Sequence, residues 1–177
     1  KLWARNIDDL RKETQRADEV FIDHLTQKYA EALPPIWAVS EVMSFGLLSR
    51  WYKSLRVNSV RKAIAARYQV YPDVLESWLQ HFTVVRNNCA HHSRLWNRWF
   101  DRVALMIPKR HAVLEGEFFA PKNKLYNSLL VLAFLMRTIT GEDSWKQTLL
   151  ALIDANPAVP LADMGFPENW RTMAIWA

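Results

Sequence analysis

Cysteine occurs once in these 177 residues, glycine only four times, and long apolar runs not at all. A single cysteine, Cys89, excludes an internal disulfide framework and fits a reducing compartment. The longest greasy run, LLVLAFLM at 129–136, falls well short of the roughly 20 residues that span a bilayer, so no membrane partner is expected. No basic, then apolar, then small-residue leader opens the chain, which leaves a cytoplasmic protein as the expectation. The first residue is Lys1 and not methionine, from which a processed or trimmed start and a missing upstream segment are expected. There is no glycine-rich phosphate loop, and neither a CxxC pair nor an i, i+4 histidine pair offers zinc its usual spacing. No metal and no cofactor are expected.

What is present is apolar and aromatic. Half of the chain is hydrophobic, with nine tryptophans and eight phenylalanines, enough to fill the core of a single domain over 1–177. Apolar residues recur at three-to-four spacing far more than they alternate, so the expected fold class is all-α, a compact bundle of five or six helices. The first helix is expected at about 8–32, stopped by LPP at 33–35. A second follows at 36–55, with Gly46 inside it, where close approach of another backbone would explain the glycine. Asn58 or Ser59 caps a third at 60–70. Pro72 is placed as the first residue of a fourth helix, at 72–92, with Asp73 and Glu76 at the positive end of its dipole. After a weakly patterned loop at 97–121 holding a short helix, strong periodicity returns at about 123–140, ends at Gly141 and restarts after Asp143. The segment 156–177, with three prolines, reads as an irregular tail.

Positive charge is unevenly spread. Arg50, Lys53, Arg56, Arg61, Lys62 and Arg67 occur with no acid among them. Arg86, Arg94, Arg98, Arg102, Lys109 and Arg110 occur with Asp101 alone. The two stretches carry about +11 in a chain of net charge +5, so the remainder is near −6. Clustered cations attract phosphate chains and release their counterions on binding, and Trp51, Tyr52, Trp96 and Trp99 lie among them as faces for stacking unpaired bases. The plainer reading is a solvated helix face with core tryptophans. Taken with the polar motif below, the two stretches favour nucleic acid, with Arg50, Lys53, Arg56, Arg61, Lys62, Arg94, Arg98 and Arg102 as the expected RNA contacts.

The densest polar stretch is RNNCAHHSRLWNR, 86–98. Histidine exchanges a proton near neutral pH and arginine holds a permanent charge shaped for phosphate. Phosphodiester cleavage by an internal 2′-hydroxyl needs that pair and no metal: histidine moves the proton, and arginine steadies the charge on the phosphoryl oxygens. Asn87 and Asn97 are placed to orient the substrate or the imidazole. Five residues turn through about 500°, which leaves Arg86 and His91 roughly 140° apart on a straight helix. Three arrangements relieve this: a helix that ends or bends near Asn88, a pocket reached from two sides, or a second copy of the chain. His92 falls near the apolar line of Trp78, Phe82, Val85 and Cys89, which favours a packed or structural histidine. Cys89, on the same line, is expected to be buried rather than a nucleophile. Glu41 is either a buried polar partner of the motif or an ordinary exposed glutamate.

RNNCAH, with Arg86 and His91, resembles the motif of the HEPN superfamily of all-helical, metal-independent ribonucleases: an arginine, a polar residue here represented by Asn87, and a histidine four to six residues on. The larger pattern, LPPIWAVSEVMSFGLLSRWYKSL followed by SWLQHFTVVRNNCAHHSRLWNR, is similar to the Abi-like proteins of bacterial abortive infection, the AbiD and AbiF type, strongly over about 18–100. The resemblance implies a HEPN-like helical fold and a toxin-like protein of phage defence that cleaves or binds single-stranded RNA. It also implies two motifs meeting across a homodimer, products with a cyclic phosphate and a 5′-hydroxyl, and a small RNA or an antitoxin as partner. Arg86 and His91 become the catalytic pair with Asn87 in support, and the longer spacing leaves His92 as a substitute. Three readings follow: a homodimeric endoribonuclease; a non-catalytic RNA-binding module with Arg86 and Asn97 in a buried polar network; and a protein-interaction domain with an aromatic dimer core.

Overall fold

Prolines and a few capping groups divide the chain into helices, and a computed structural model describes them over residues 2–103 and 105–177. The described residues contain no strand and eight α-helices, which is the all-α class expected from the periodicity, with more breaks. They form two units, 1–58 and 59–177. No helix among the described residues is long and apolar enough to cross a membrane.

The first unit holds α1 (Leu2–Arg16), α2 (Val20–Lys28), α3 (Ile36–Val42) and α4 (Phe45–Ser54). Each of the first two expected helices is thus two. The break between α3 and α4 has a visible cause. Ser44 takes an extended backbone, and its hydroxyl accepts the Leu47 N–H at 3.2 Å as the cap of α4. Glu13, from α1, accepts both the Ser44 N–H and the Ser44 hydroxyl at 2.7 Å. Gly46 is therefore the second residue of α4, where a glycine costs little, and not the interior of a long helix. The two helices close on Leu10, Val39 and Leu47, with Leu33, Met43 and Trp51 packed around them. Buried Asn6 donates to Ser54 Oγ at 2.8 Å, which ties α1 to the end of α4. Ser44→Ala is expected to cost about 1 kcal/mol through the lost cap. Glu13→Ala should lower the melting temperature in the same direction, and because the two share one hydrogen-bond cluster the double variant should lose less than the two losses combined. Thermal unfolding of the three variants checks this.

The second unit holds α5 (Asn58–Arg67, all but its first residue), α6 (Pro72–Ala90), α7 (Leu125–Thr140) and α8 (Ser144–Asp154). Pro72 opens α6 after an extended Tyr71, and Gly141 ends α7 in the left-handed region at φ 76°, its N–H bonded to Arg137 O, both as the sequence suggests. The loop after α6 contains one 3-10 turn, Asp101–Val103. The segment 156–177 is irregular in backbone, with 3-10 turns at Leu161–Met164 and Trp170–Thr172. It is nevertheless core. Phe166, Trp170, Ile175 and Trp176 are buried, and the rings of Phe166, Trp170 and Trp176 pack edge-on or tilted in a chain around Tyr126 of α7. The Tyr126 hydroxyl donates to Glu117 O and accepts from Trp176 Nε1, and burial pushes its phenol up to about 12, so it keeps its proton. Buried Glu117 accepts the Ala174 and Ile175 N–H groups, one on each carboxylate oxygen.

One buried histidine sits between α6 and α7. His81 is enclosed, its Nδ1 lies 2.6 Å from Val103 O and its Nε2 lies 2.8 Å from Ser128 Oγ. A carbonyl only accepts, so Nδ1 carries the proton and Nε2 accepts from Ser128. Burial lowers its pKa, against a smaller opposing effect of the Val103 bond. The unfolded chain therefore binds a proton at a higher pH than the native one does. His81 contributes full stability above its ordinary value of 6.5, and that contribution falls as the pH drops from there through the lowered native value. The melting temperature is expected to fall as the pH drops below 6.5, and His81→Gln, with no ring to titrate, is expected to flatten that slope.

Candidate functional site

The apolar side of α6, with Trp78, Phe82 and Val85, is buried, and the helix then runs out of the core. Arg86, Asn87, Cys89 and Ala90 are all exposed, so Cys89 is a surface thiol and not the buried one its place in the pattern predicts. The helix ends just past Asn88, with His91 as its C-cap. It continues to Ala90, and the His91 N–H still bonds to Asn87 O at 3.0 Å.

The stop comes at His92, in the left-handed region at φ 50°. Its N–H bonds to Cys89 O at 3.0 Å and the Ser93 N–H bonds to Asn88 O at 2.8 Å. That is the six-to-one and five-to-two pair of a Schellman motif, in which the left-handed position usually belongs to glycine. A residue with a Cβ there costs about 1 kcal/mol. His92 is thus structural through its backbone, while its side chain is exposed rather than packed.

Arg86 Nη1 donates to Asn87 Oδ1 at 3.3 Å, and both side chains stand in solvent. No side-chain hydrogen bond is made by His91 or His92 among the described residues, and both rings are exposed. α6 stays helical from Arg86 to Ala90, and His91 is its C-cap, at φ −93° and ψ 15°.

Asn97 and Arg86 do not share a buried network. Asn97, left-handed at φ 52°, accepts from Lys124 Nζ at 2.5 Å. Lys124, just before α7, is 7% exposed, and it also donates to Asp163 O at 3.0 Å and lies 4.1 Å over the ring of Trp99. The loop is further held by the Phe100 N–H on Asn123 O at 2.9 Å and by Asn123 Nδ2 on the Asp101 carboxylate. Lys124 was invisible as a site residue, since in PKNK it reads as one of several solvated lysines. His81 carried a signal, three residues beyond Trp78 on the apolar line.

Glu41 is exposed on α3, which leaves the ordinary glutamate of the two readings. Of the expected RNA contacts, Arg50 is ion-paired to Asp9 at 2.8 Å within the first unit, and Arg61 to Glu76 at 2.7 Å and Asp73 at 3.7 Å within the second. Lys53, Arg56, Lys62, Arg94 and Arg102 are exposed, and half-buried Arg98 donates to Arg94 O at 3.2 Å. The aromatic residues sort sharply: Tyr52 is buried, Trp51 packs on Trp3 and the first core, Trp96 is half-buried, and Trp99 is open. Among the described residues no three His, Cys, Asp or Glu side chains are grouped to hold a metal ion.

Neither a curated protein nor a solved structure matches the chain. A family model described as Abi-like protein matches residues 1–97, which takes in the whole first unit, α5, α6 and the polar stretch as far as Asn97. That match covers more than half of the sequence and the family suggests abortive infection, a defence against phage: the chain belongs to the Abi-like protein family.

Proposed function

We propose that this chain is an endoribonuclease of phage defence that cleaves single-stranded RNA without a metal, Arg86 and His91 acting at the scissile phosphate in a homodimer with the HEPN arrangement. The observation that carries the reading is the exposure of Arg86, Asn87 and His91 together at the end of α6, within the span that matches the family. In this reaction the 2′-oxygen bonds to phosphorus and the bond to the 5′-oxygen breaks. A neutral His91 takes the 2′ proton, Arg86 steadies the phosphoryl oxygens, and the departing 5′-oxygen receives a proton from a second copy's imidazolium. Asn87, already hydrogen-bonded to Arg86, orients the guanidinium. The separation of about 140° expected for Arg86 and His91 on a straight helix favours a site completed by a second copy. His92 is the less favoured histidine, because its backbone is committed to the helix stop.

The test is a gel assay of labelled single-stranded RNA with EDTA present, comparing wild type with Arg86→Ala and His91→Ala. Cleavage by wild type with cyclic-phosphate ends, lost in both variants, is the expected result. RNA left intact by wild type, with binding retained across pH, would replace the nuclease with a non-catalytic RNA-binding module.

A further inference from the structure

Trp99 differs from the other tryptophans of the polar stretch and of the basic segments. Its side chain is 52% exposed, yet one ring face is covered, because the Lys124 ammonium lies 4.1 Å from the ring centre. What faces solvent is therefore the opposite face and an edge. A large, flat, apolar surface left open in this way costs free energy in water unless something covers it.

The support beneath the ring is built, and built at a cost. Lys124 is buried and, among the described residues, has no carboxylate in ion-pair range. Its charge is met by Asn97 Oδ1, by Asp163 O and by the indole. A buried ammonium compensated only by neutral groups is expensive, and so is the left-handed Asn97 that completes the set. Both costs hold one loop in one shape. Phe100, the next residue, is buried and fixed to Asn123 O, so the backbone under Trp99 is anchored on both sides. The residues flanking the platform in the chain are basic: Arg94 and Arg102 exposed, Arg98 at the surface edge.

A rigid open indole face among cations is the combination that binds an unpaired base, since every base has a π-face and its phosphates seek positive charge. We infer that Trp99 is a stacking platform for one unpaired nucleobase of a single-stranded RNA, and that Lys124 is the positioning residue that holds the ring with its outer face free. This rests on the reading of the protein as one that acts on RNA, and it adds the residue that fixes where the strand lies beside the Arg86–His91 motif. Trp96 does not share the role: it is half-buried, and the Arg94 guanidinium already lies 6.0 Å from its ring centre.

The experiment is fluorescence anisotropy at low salt with a labelled RNA oligonucleotide and the same oligonucleotide carrying abasic sites, using full-length protein. Wild type is expected to bind the intact strand about tenfold more tightly than the abasic one. Trp99→Leu should lose that tenfold on the intact strand and discriminate no longer, while Trp99→Phe keeps most of it. Lys124→Met should shrink the preference for intact RNA, a readout that a general loss of stability would not move. If wild type and Trp99→Leu bind both strands alike, the platform is overturned and the RNA reading stands. If wild type binds neither strand, the RNA reading itself fails and the platform with it. Trp99 is exposed, so Trp99→Leu remains informative even if Lys124→Met fails to fold.

Discussion

His91→Ala is expected to slow cleavage of single-stranded RNA by at least about 10²- to 10⁴-fold, the range that general acid–base catalysis by one positioned side chain supplies, since in the homodimer it removes both the base and the acid. Arg86→Ala should cost about 10²- to 10³-fold, the range for removing a group that stabilises charge developing in the transition state. The double variant should be little slower than the worse single one, because groups that act on one transition state lose their effect together. All of these side chains are exposed, and substitutions at such positions usually change stability by no more than about 0.5 kcal/mol. A loss of rate with an unchanged melting curve therefore belongs to the chemistry. His92→Ala is the control, since its φ of 50° serves the backbone and its ring makes no side-chain hydrogen bond among the described residues. Full activity in His91→Ala with none in His92→Ala would move the catalytic role one residue along. Wild-type rates in all three would leave this motif without a catalytic part.

The largest effect on stability is expected far from that motif. Trp176→Ala should cost about 3–5 kcal/mol, the range for removing a buried aromatic side chain. Trp176 is 4% exposed, it packs 5.8 Å from Trp170 and 6.2 Å from Tyr126 between ring centres, and its indole N–H donates to the Tyr126 hydroxyl. Its loss leaves a cavity and takes one partner from a phenol that stays protonated. Since small domains are stable by about 5–15 kcal/mol, the variant should be close to unfolding at body temperature. Urea denaturation compared with Trp37→Ala, which removes an indole that is 61% exposed, separates burial from the mere loss of a tryptophan. Equal midpoints in the two variants would mean that the segment 156–177 carries none of the stability its packing indicates.

That segment shows where sequence reading stops. Its prolines at 157, 160 and 167 rule out a regular helix, and the backbone is irregular. Burial of Phe166, Trp170 and Trp176 depends on Tyr126, some forty to fifty residues away, and no local pattern records such a partner. The same holds for the break at Ser44. Apolar spacing runs through it without interruption, and the residue that secures it, Glu13, is 31 positions upstream. Signals that act within one turn were legible: Pro72 as the opening of α6 and Gly141 as the close of α7. In the candidate site the residue types were legible and their surroundings were not. Extrapolating the line of Trp78, Phe82 and Val85 placed Cys89 and His92 in a core that α6 has already left. Conversely, Lys124 looks soluble in every window, and only the fold turns it inward onto Asn97 and Trp99.

The way Lys124 gathers its partners also sets an order of events during synthesis. The stretch from Arg86 to Trp99 leaves the ribosome well before the residues that give its last part a shape, since Asn123, Lys124 and the Asp163 carbonyl all come later in the chain. Gly165 belongs to the same group: a Cβ at that position would come within 2.7 Å of Lys124 Cβ, so the turn after Met164 closes directly against the lysine stem. A nascent chain made as far as Phe100 thus carries the whole polar motif while the loop around Trp99 still lacks its anchor. For a protein whose proposed activity would harm the cell that makes it, the proposed stacking surface stays incomplete until residues well beyond the Arg86–His91 motif have been translated.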